Sequence, residues 1–333
     1  MPASTANAAQ LCIDALNAAE PSRSSPLYTV MTMADTLELS RHAWVIRGQS
    51  RSRRVGSWPS WFARNTGEKP LLYLHSAASS AQLCALSDET AQRGILCNDI
   101  ENQPSHWPKG AQPSLPLWLA NHPRCTPYDP ASGEEARAIV LAGLRALYVD
   151  GKPGFYYLAL HDQETAVTLD AQDREDALKG MYPIRRRQGD VRLLGAGRAL
   201  VEVAYAAQLL EQDWSITAQL WSCPSYTRLA REAAAAARWN RLHPMAPQQS
   251  CHLRESLAGD TTPVIAVTGY PQPIVDQLAP YVDARFVALG AGSVQAAAPS
   301  RFWIVVCALR ALADEGRIDA QQVEIAMKRY PLK

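Results

Sequence analysis

The residues best placed to do chemistry lie in ENQPSHWP (101–108), where Glu101 and His106 share an irregular, proline-rich stretch. Loops held by a rigid scaffold often carry function. A carboxylate beside an imidazole can move a proton near neutral pH, so Glu101 and His106 are the candidate acid–base pair. The plainer reading is a histidine hydrogen-bonded within its own loop.

Other candidates carry less. LLGAGR (193–198) falls between an expected strand and helix, and the backbone N–H groups of such a turn can cradle a phosphate. The dinucleotide fingerprint is incomplete, because position 200 is Leu, and no P-loop occurs. A tight turn that lets helix and strand approach is the plainer account of Gly195 and Gly197. His243, in RWNRLHPMAP, reads as a structural corner, with Pro244 stopping the helix and Arg238 and Asn240 tying down its last carbonyls. His42 and His75 lie in apolar surroundings. No H-E-x-x-H or G-x-S-x-G string is present. Seven scattered cysteines without a C-x-x-C pair read as reduced thiols of a cytoplasmic protein, with no zinc site.

Several elements must position these groups. Helices are expected at 8–19 and 31–42, joined by the linker PSRSSP, and a short strand at Leu71–His75. Arginines 47, 51, 53, 54 and 64 make 47–64 a solvated basic loop or a binding patch for a partner or a phosphate. Six prolines within 98–127 exclude a regular helix there and predict a long ordered loop or interface segment. Asp129 or Ser132 caps a helix reaching about Tyr148. FYYLAL (155–160) is a buried strand. After a charged connector at 173–178, strands at 191–194, 216–221, 264–268 and 285–289 alternate with helices at 198–211, 225–239 and 273–278. Helices at 302–315 and 319–328 close the chain, with Gly316 as the stop between them. This alternation predicts an α/β fold with a mostly parallel sheet wrapped by helices.

At 333 residues the chain fits two domains and can bury a sizeable core without disulfides or metals. Lys and Arg total 33 against 32 Asp and Glu, so the net charge of +1 excludes a bulk affinity for nucleic acid or anionic membrane. No apolar run reaches the roughly 18 residues that span a bilayer. The opening MPASTANAAQ has no basic region followed by a long apolar core, so no secretory signal is expected.

The string YTRLAREAAAAARWNRLHP (226–244) resembles the C-terminal domain of the homodimeric type of pyruvate dehydrogenase first component, a thiamine-diphosphate-dependent decarboxylase. In that family a [FY]-T-x-L-A-R helix runs into R-W-N-x-L-H-P. Here Tyr226, Thr227, Leu229, Ala230 and Arg231 are followed by Arg238, Trp239, Asn240, Leu242, His243 and Pro244. YDPASGEEARAIVLAGLRALY (128–148), GFYYLAL (154–160), LKGMYPI (178–184), DVRLLGAGRAL (190–200) and GRIDAQQVEIAMKRY (316–330) are similar in the same order. SAQLCALSDETAQRGIL (80–96) looks like the segment entering the family's active-site loop. The resemblance implies a flexible segment at 1–27, a shortened pyrimidine-binding domain at 28–185 and a transketolase C-terminal domain at 186–333.

The departures fall on the chemistry. The resemblance implies thiamine diphosphate and Mg²⁺, yet no G-D-G motif of the diphosphate-binding domain occurs. The acidic segment that should meet the aminopyrimidine ring is missing before Leu71, where Glu68 is the only nearby acid. An earlier acidic segment is replaced by GQSRSRRVG, leaving Gln49 and Ser50. A histidine-rich loop is reduced to IENQPSHWP, with His106 as its one candidate survivor, and a loop near the C-terminus shortens to GAGSVQAAAPSR (290–301). The resemblance therefore implies a β-like subunit of a split decarboxylase, dehydrogenase or carboligase acting on a small 2-oxo acid. It would form a hetero-oligomer with a chain that carries the diphosphate-binding domain and shares the cofactor and Mg²⁺. The alternative is a non-catalytic subunit that scaffolds or regulates such an assembly, and a third reading is a nucleotide-binding module using Gly195 and Gly197.

Overall fold

The computed structural model describes residues 3–19, 24–48, 68–165, 167–184, 188–259, 261–292 and 298–332. Two compact units divide it, Met1–Asp170 and Ala171–Lys333. Each is an α/β sheet with its own buried core.

In the first unit, β1 (Trp44–Arg47), β2 (Leu71–His75), β3 (Gly94–Asn98), β4 (Cys125–Tyr128) and β5 (Phe155–Ala159) form one sheet in the order β1-β2-β3-β5-β4. Every pairing in it is parallel, so the C-terminal ends of the strands open onto a single edge. β3, at the centre, is buried along its whole length, which its apolar GILC run requires. Helices α1 (Ala3–Ala18), α2 (Pro26–Ser40), α3 (Ser80–Glu89), α4 (Ser114–Asn121) and α5 (Gly133–Leu144) accompany this sheet. Ser79 and Gln82 close a reciprocal capping box on α3. Ser132 rather than Asp129 caps α5, which runs into a wider turn at Arg145–Val149. The Tyr148 hydroxyl, buried there, accepts the N–H of Leu71 at 3.1 Å.

Two expectations are corrected in this unit. Residues 3–18 form α1, as the helix expected at 8–19 implies and against the flexible segment expected at 1–27, and α1 buries Ala9, Cys12, Ile13 and Leu16. The Leu16 carbonyl accepts from Arg137, and the Ser24 carbonyl from the N–H of Gly133. The proline-rich stretch does contain a helix, α4. Pro116 stands in its first turn, where an N–H would have no partner in the helix. Pro127 stands in β4, an edge strand that can spare the donor. The basic segment 47–64 lies outside the described residues except for Arg47 and Gly48. Arg47 pairs with Asp35 at 2.5 Å and Glu38 at 3.2 Å.

The second unit holds β6 (Tyr182–Pro183), β7 (Val191–Gly195), β8 (Ala218–Ser222), β9 (Val264–Pro271) and β10 (Phe286–Ala291), in the order β10-β9-β7-β8-β6. All pairings are parallel except that of β6 with β8. Helices α6 (Ala171–Lys179), α7 (Ala199–Trp214), α8 (Tyr226–Leu242), α9 (His252–Leu257), α10 (Pro273–Asp276), α11 (Arg301–Asp314) and α12 (Ala320–Arg329) complete it. The expected charged connector is thus the helix α6. The boundary between units falls at 170/171 and not at 185/186, because Met181 packs into this unit's core beside Leu229 and Leu253. Its carbonyl also meets the His252 ring at 2.8 Å.

α8 buries Tyr226, Leu229, Ala230, Ala233 and Ala236, a helical stripe against the sheet. The His243 ring stacks on Trp239 with centroids 3.7 Å apart, and its Nδ1 lies 3.0 Å from the Trp239 carbonyl. The corner is therefore tied by His243 itself. Asn240 instead clasps the following loop, through both the N–H and the carbonyl of Gln249.

The glycine turn after β7 is a packing device. A Cβ on Gly195 would stand 2.8 Å from the Leu200 Cα and 3.1 Å from Val203, so only glycine lets α7 pack this close to β7. Replacement of Gly195 by Ala is expected to lower the unfolding free energy of the second unit by about 2 kcal/mol through overpacking, as read from urea denaturation.

Candidate functional site

The parallel pairing of β1–β5 directs the chain ends after β2, β3, β4 and β5 to one edge, where open α/β sheets bind their ligands. Here that edge is crossed by residues 99–113. Asp99 takes the Ser76 hydroxyl after β2, and its own N–H donates to the His75 carbonyl at 3.0 Å. The Asn102 amide donates to the Leu160 carbonyl at 3.2 Å and accepts the Asp162 N–H at 3.1 Å, both beyond β5. The Gln112 N–H reaches the Ala78 carbonyl at 2.7 Å. Beneath this strap, the Asn98 amide at the end of β3 donates to Tyr157 Oη at 3.0 Å and the Ala77 carbonyl at 2.8 Å.

At the centre of the edge stands Lys109. Its Nζ lies 2.6 Å from Glu101 Oε2 and 3.0 Å from Asp129 Oδ1, and the three side chains are 4%, 8% and 10% exposed. Burial alone would push the ammonium down, but Asp129 and then Glu101 outweigh it and hold Lys109 above its ordinary value. Burial pushes Asp129 up against the pull of Lys109, and Glu101 adds to the rise. With all three ionised the cluster carries one surplus negative charge. Asp129 Oδ2 is buried and has no hydrogen-bond partner among the described residues. A lysine kept protonated in this way is not a nucleophile.

The expected Glu101–His106 pair is not assembled. Glu101 turns inward to Lys109, while His106 lies exposed on the outer side of the strap with its ring 4.5 Å from that of Trp107. The reason is electrostatic: a buried ammonium needs counter-charge, and Glu101 supplies it. Lys109 belongs to no motif of the sequence, and Asp129 reads there only as a candidate helix cap. The available signal was that Lys109 is the only lysine between Lys69 and Lys152, set among prolines.

Glu68 is placed elsewhere. It precedes β2, and its Oε2 pairs with Arg93 Nη1 at 2.9 Å, just before β3. That is the N-terminal edge of the sheet, opposite the strap. Glu68, Glu101 and Asp129 therefore each hold a cation of this chain, and they do not fit the acid that a thiamine aminopyrimidine requires. Gln49 and Ser50 lie outside the described residues. Among the described residues no group of His, Cys, Asp or Glu is arranged to hold a metal ion, and no helix is long and apolar enough to cross a membrane. All seven cysteines are free thiols.

His75, at the end of β2, is fully enclosed. Its Nδ1 accepts the Ala77 N–H at 3.2 Å, which puts the proton on Nε2, buried without a partner among the described residues. Burial pushes its pKa down from 6.5 to about 3. Between those values the unfolded chain binds a proton that the folded chain refuses. The stability His75 allows is complete above pH 6.5 and is lost as pH falls toward 3. In His75→Gln the slope of unfolding free energy against pH between 6 and 4 should flatten by up to about 1.4 kcal/mol per pH unit, as checked by urea titrations across that range.

Comparison with known proteins shows what parts of this chain are similar to. Residues 180–295 match the family described as "Transketolase-like TK C-terminal domain". The pyruvate dehydrogenase E1 component of Cupriavidus necator is 35% identical over 269 residues, 75% of this chain and 30% of that protein. Its counterpart in Pseudomonas aeruginosa is 33% identical, over 64% of this chain and 26% of that protein. The chain thus spans about 30% of the length of the first of these relatives. Among solved structures, a transketolase from Leishmania mexicana matches with a TM-score of 0.58 at 14% identity, over 98% of this chain and 50% of its own. A chain described as "Split gene transketolase, inactive beta4 tetramer" matches with a TM-score of 0.54 at 13% identity, over 88% of this chain and 99% of its own. These two likenesses show the fold. Residues 180–295 therefore form a transketolase-like C-terminal domain, and about three quarters of the chain resembles the C-terminal part of the pyruvate dehydrogenase E1 component.

Proposed function

We propose that the chain is a β-like subunit of a split assembly of the thiamine-diphosphate family, completed by a partner chain that carries the diphosphate- and Mg²⁺-binding domain. Its own part in that hetero-oligomer is to scaffold or regulate. The observation that carries this reading is the buried Lys109 cluster. It takes up Glu101 and Asp129 at the edge where a ligand would need free polar groups, while His106 faces outward. The two-sheet architecture supports the subunit role, because it is coextensive with a chain described as a split transketolase, over 99% of that chain.

A second reading, the catalytic one, has the pair decarboxylate a small 2-oxo acid with the cofactor shared between the chains. It is favoured by the 35% identity to a pyruvate dehydrogenase E1 component across 75% of the chain.

The test is co-expression with a co-encoded chain bearing a diphosphate-binding domain. Size-exclusion chromatography with light scattering reads the complex, and pyruvate-dependent CO₂ release with thiamine diphosphate and Mg²⁺ reads turnover. The expected result is a stable complex whose turnover is unchanged in His106→Ala. Failure to form a complex overturns the subunit reading. Turnover that collapses in His106→Ala, an exposed residue outside the ion-pair cluster, replaces the scaffold reading with the catalytic one.

A further inference from the structure

We propose that residues 99–113 are a built-in closure of the C-terminal edge of the first sheet, keyed by Lys109, whose ammonium occupies a two-carboxylate cation site that the chain fills for itself. The inference deepens the scaffold reading, on which its functional meaning rests, and it is tested on this chain alone.

Four observations converge. The strap is bonded to the chain beyond β2, through Ser76 and Ala78, and beyond β5, through Leu160 and Asp162. Asp129, just beyond β4, is reached by the Lys109 ammonium. A mobile lid would hinge at its ends, whereas this segment is fastened along its length.

The site under the strap has the chemistry of a cation site. Its two carboxylates come from separate loops, and one ammonium reaches both. It carries an acceptor beyond what Lys109 uses, since Asp129 Oδ2 is buried with no hydrogen-bond partner among the described residues. Two carboxylates desolvated together repel one another, so both stay ionised only around a cation.

The backbone is shaped to deliver that cation. Lys109 has φ 52 and Gly110 φ 69, consecutive left-handed residues. A Cβ at Gly110 would lie 2.3 Å from the Ile100 carbonyl oxygen, so only glycine lets the strap fold this tightly on itself. A left-handed lysine is strained, and such strain persists where its surroundings over-determine it. The ion pairs with Glu101 and Asp129 are that determinant.

The closing experiment is chemical rescue in the full chain. Lys109→Ala removes the equivalent of propylammonium and leaves both carboxylates. Its melting temperature should fall by roughly 10 °C, as expected for a buried charge pair broken on one side. Millimolar propylammonium chloride should restore at least half of that loss. Tetramethylammonium chloride at equal ionic strength should not, because it has no N–H to donate. Neither salt should restore Lys109→Met, whose side chain fills the space. A wild-type melting temperature in Lys109→Ala, an equal response to the two salts, or equal rescue of Lys109→Met overturns the proposal.

If Lys109→Ala does not fold, Glu101→Gln keeps the lysine and one acid. Hydrogen exchange then reads the strap amides of Asn102, Gln103, Gly110 and Ala111. A tenfold or greater loss of protection confined to them, with β3 and β5 unchanged, supports the closure. Unchanged protection overturns it. Complex formation with a partner chain is a separate measurement, so failure of the closure and failure of the subunit reading are told apart.

Discussion

A charge removed from water must meet an opposite charge, and in the first unit that requirement falls on Lys109. Its ammonium is nearly inaccessible and is met by Glu101 on one side and Asp129 on the other. Satisfying it decides much else at this edge. Glu101 turns inward, Asp129 fixes the exit of β4, and the strap between β3 and α4 crosses the ends of the strands. Glu101, the carboxylate the sequence offers for acid–base work, is engaged in that ion pair. His106, freed of any partner role with Glu101, comes to the surface against Trp107.

Both units use the same physical scheme and finish their edges differently. In each, parallel strands gather their C-terminal ends on one side, the natural place for a ligand. In the second unit the turn at Gly195 is closed by helix packing, because Leu200 and Val203 stand against the glycine. In the first unit the edge is closed by ions and hydrogen bonds. Closure by packing depends on shape and is indifferent to pH. Closure by a charged cluster depends on protonation state: burial first, and then the Glu101 carboxylate, push Asp129 up against the pull of Lys109. The neighbouring His75 stays neutral for the same reason of burial.

Much of the framework was legible from pattern alone. The strand at Leu71–His75 falls where the apolar run LLYLH put it, and Ser225 caps α8 as its position before the alanine-rich helix predicts. β3 and α3 were not isolated as elements, because GILC is too short a run and α3 has a weak apolar stripe. Prolines misled the reading of 98–127. Their effect depends on whether they fall in a helix's first turn or on a sheet's outer strand, and position relative to neighbours is a tertiary fact.

The sequence by itself determined the class of fold, the order of most elements and the family resemblance, since periodicity, caps and motif strings are local properties of the chain. It also shows that no G-D-G string occurs in these 333 residues. Only the tertiary structure decided what Glu101 does. Eight positions away along the chain, Lys109 is brought to it by two consecutive left-handed residues, and Asp129 comes from a different loop. No spacing rule joins those three residues, because their meeting depends on where three chain segments leave one sheet edge and on the cost of leaving a buried charge unpaired.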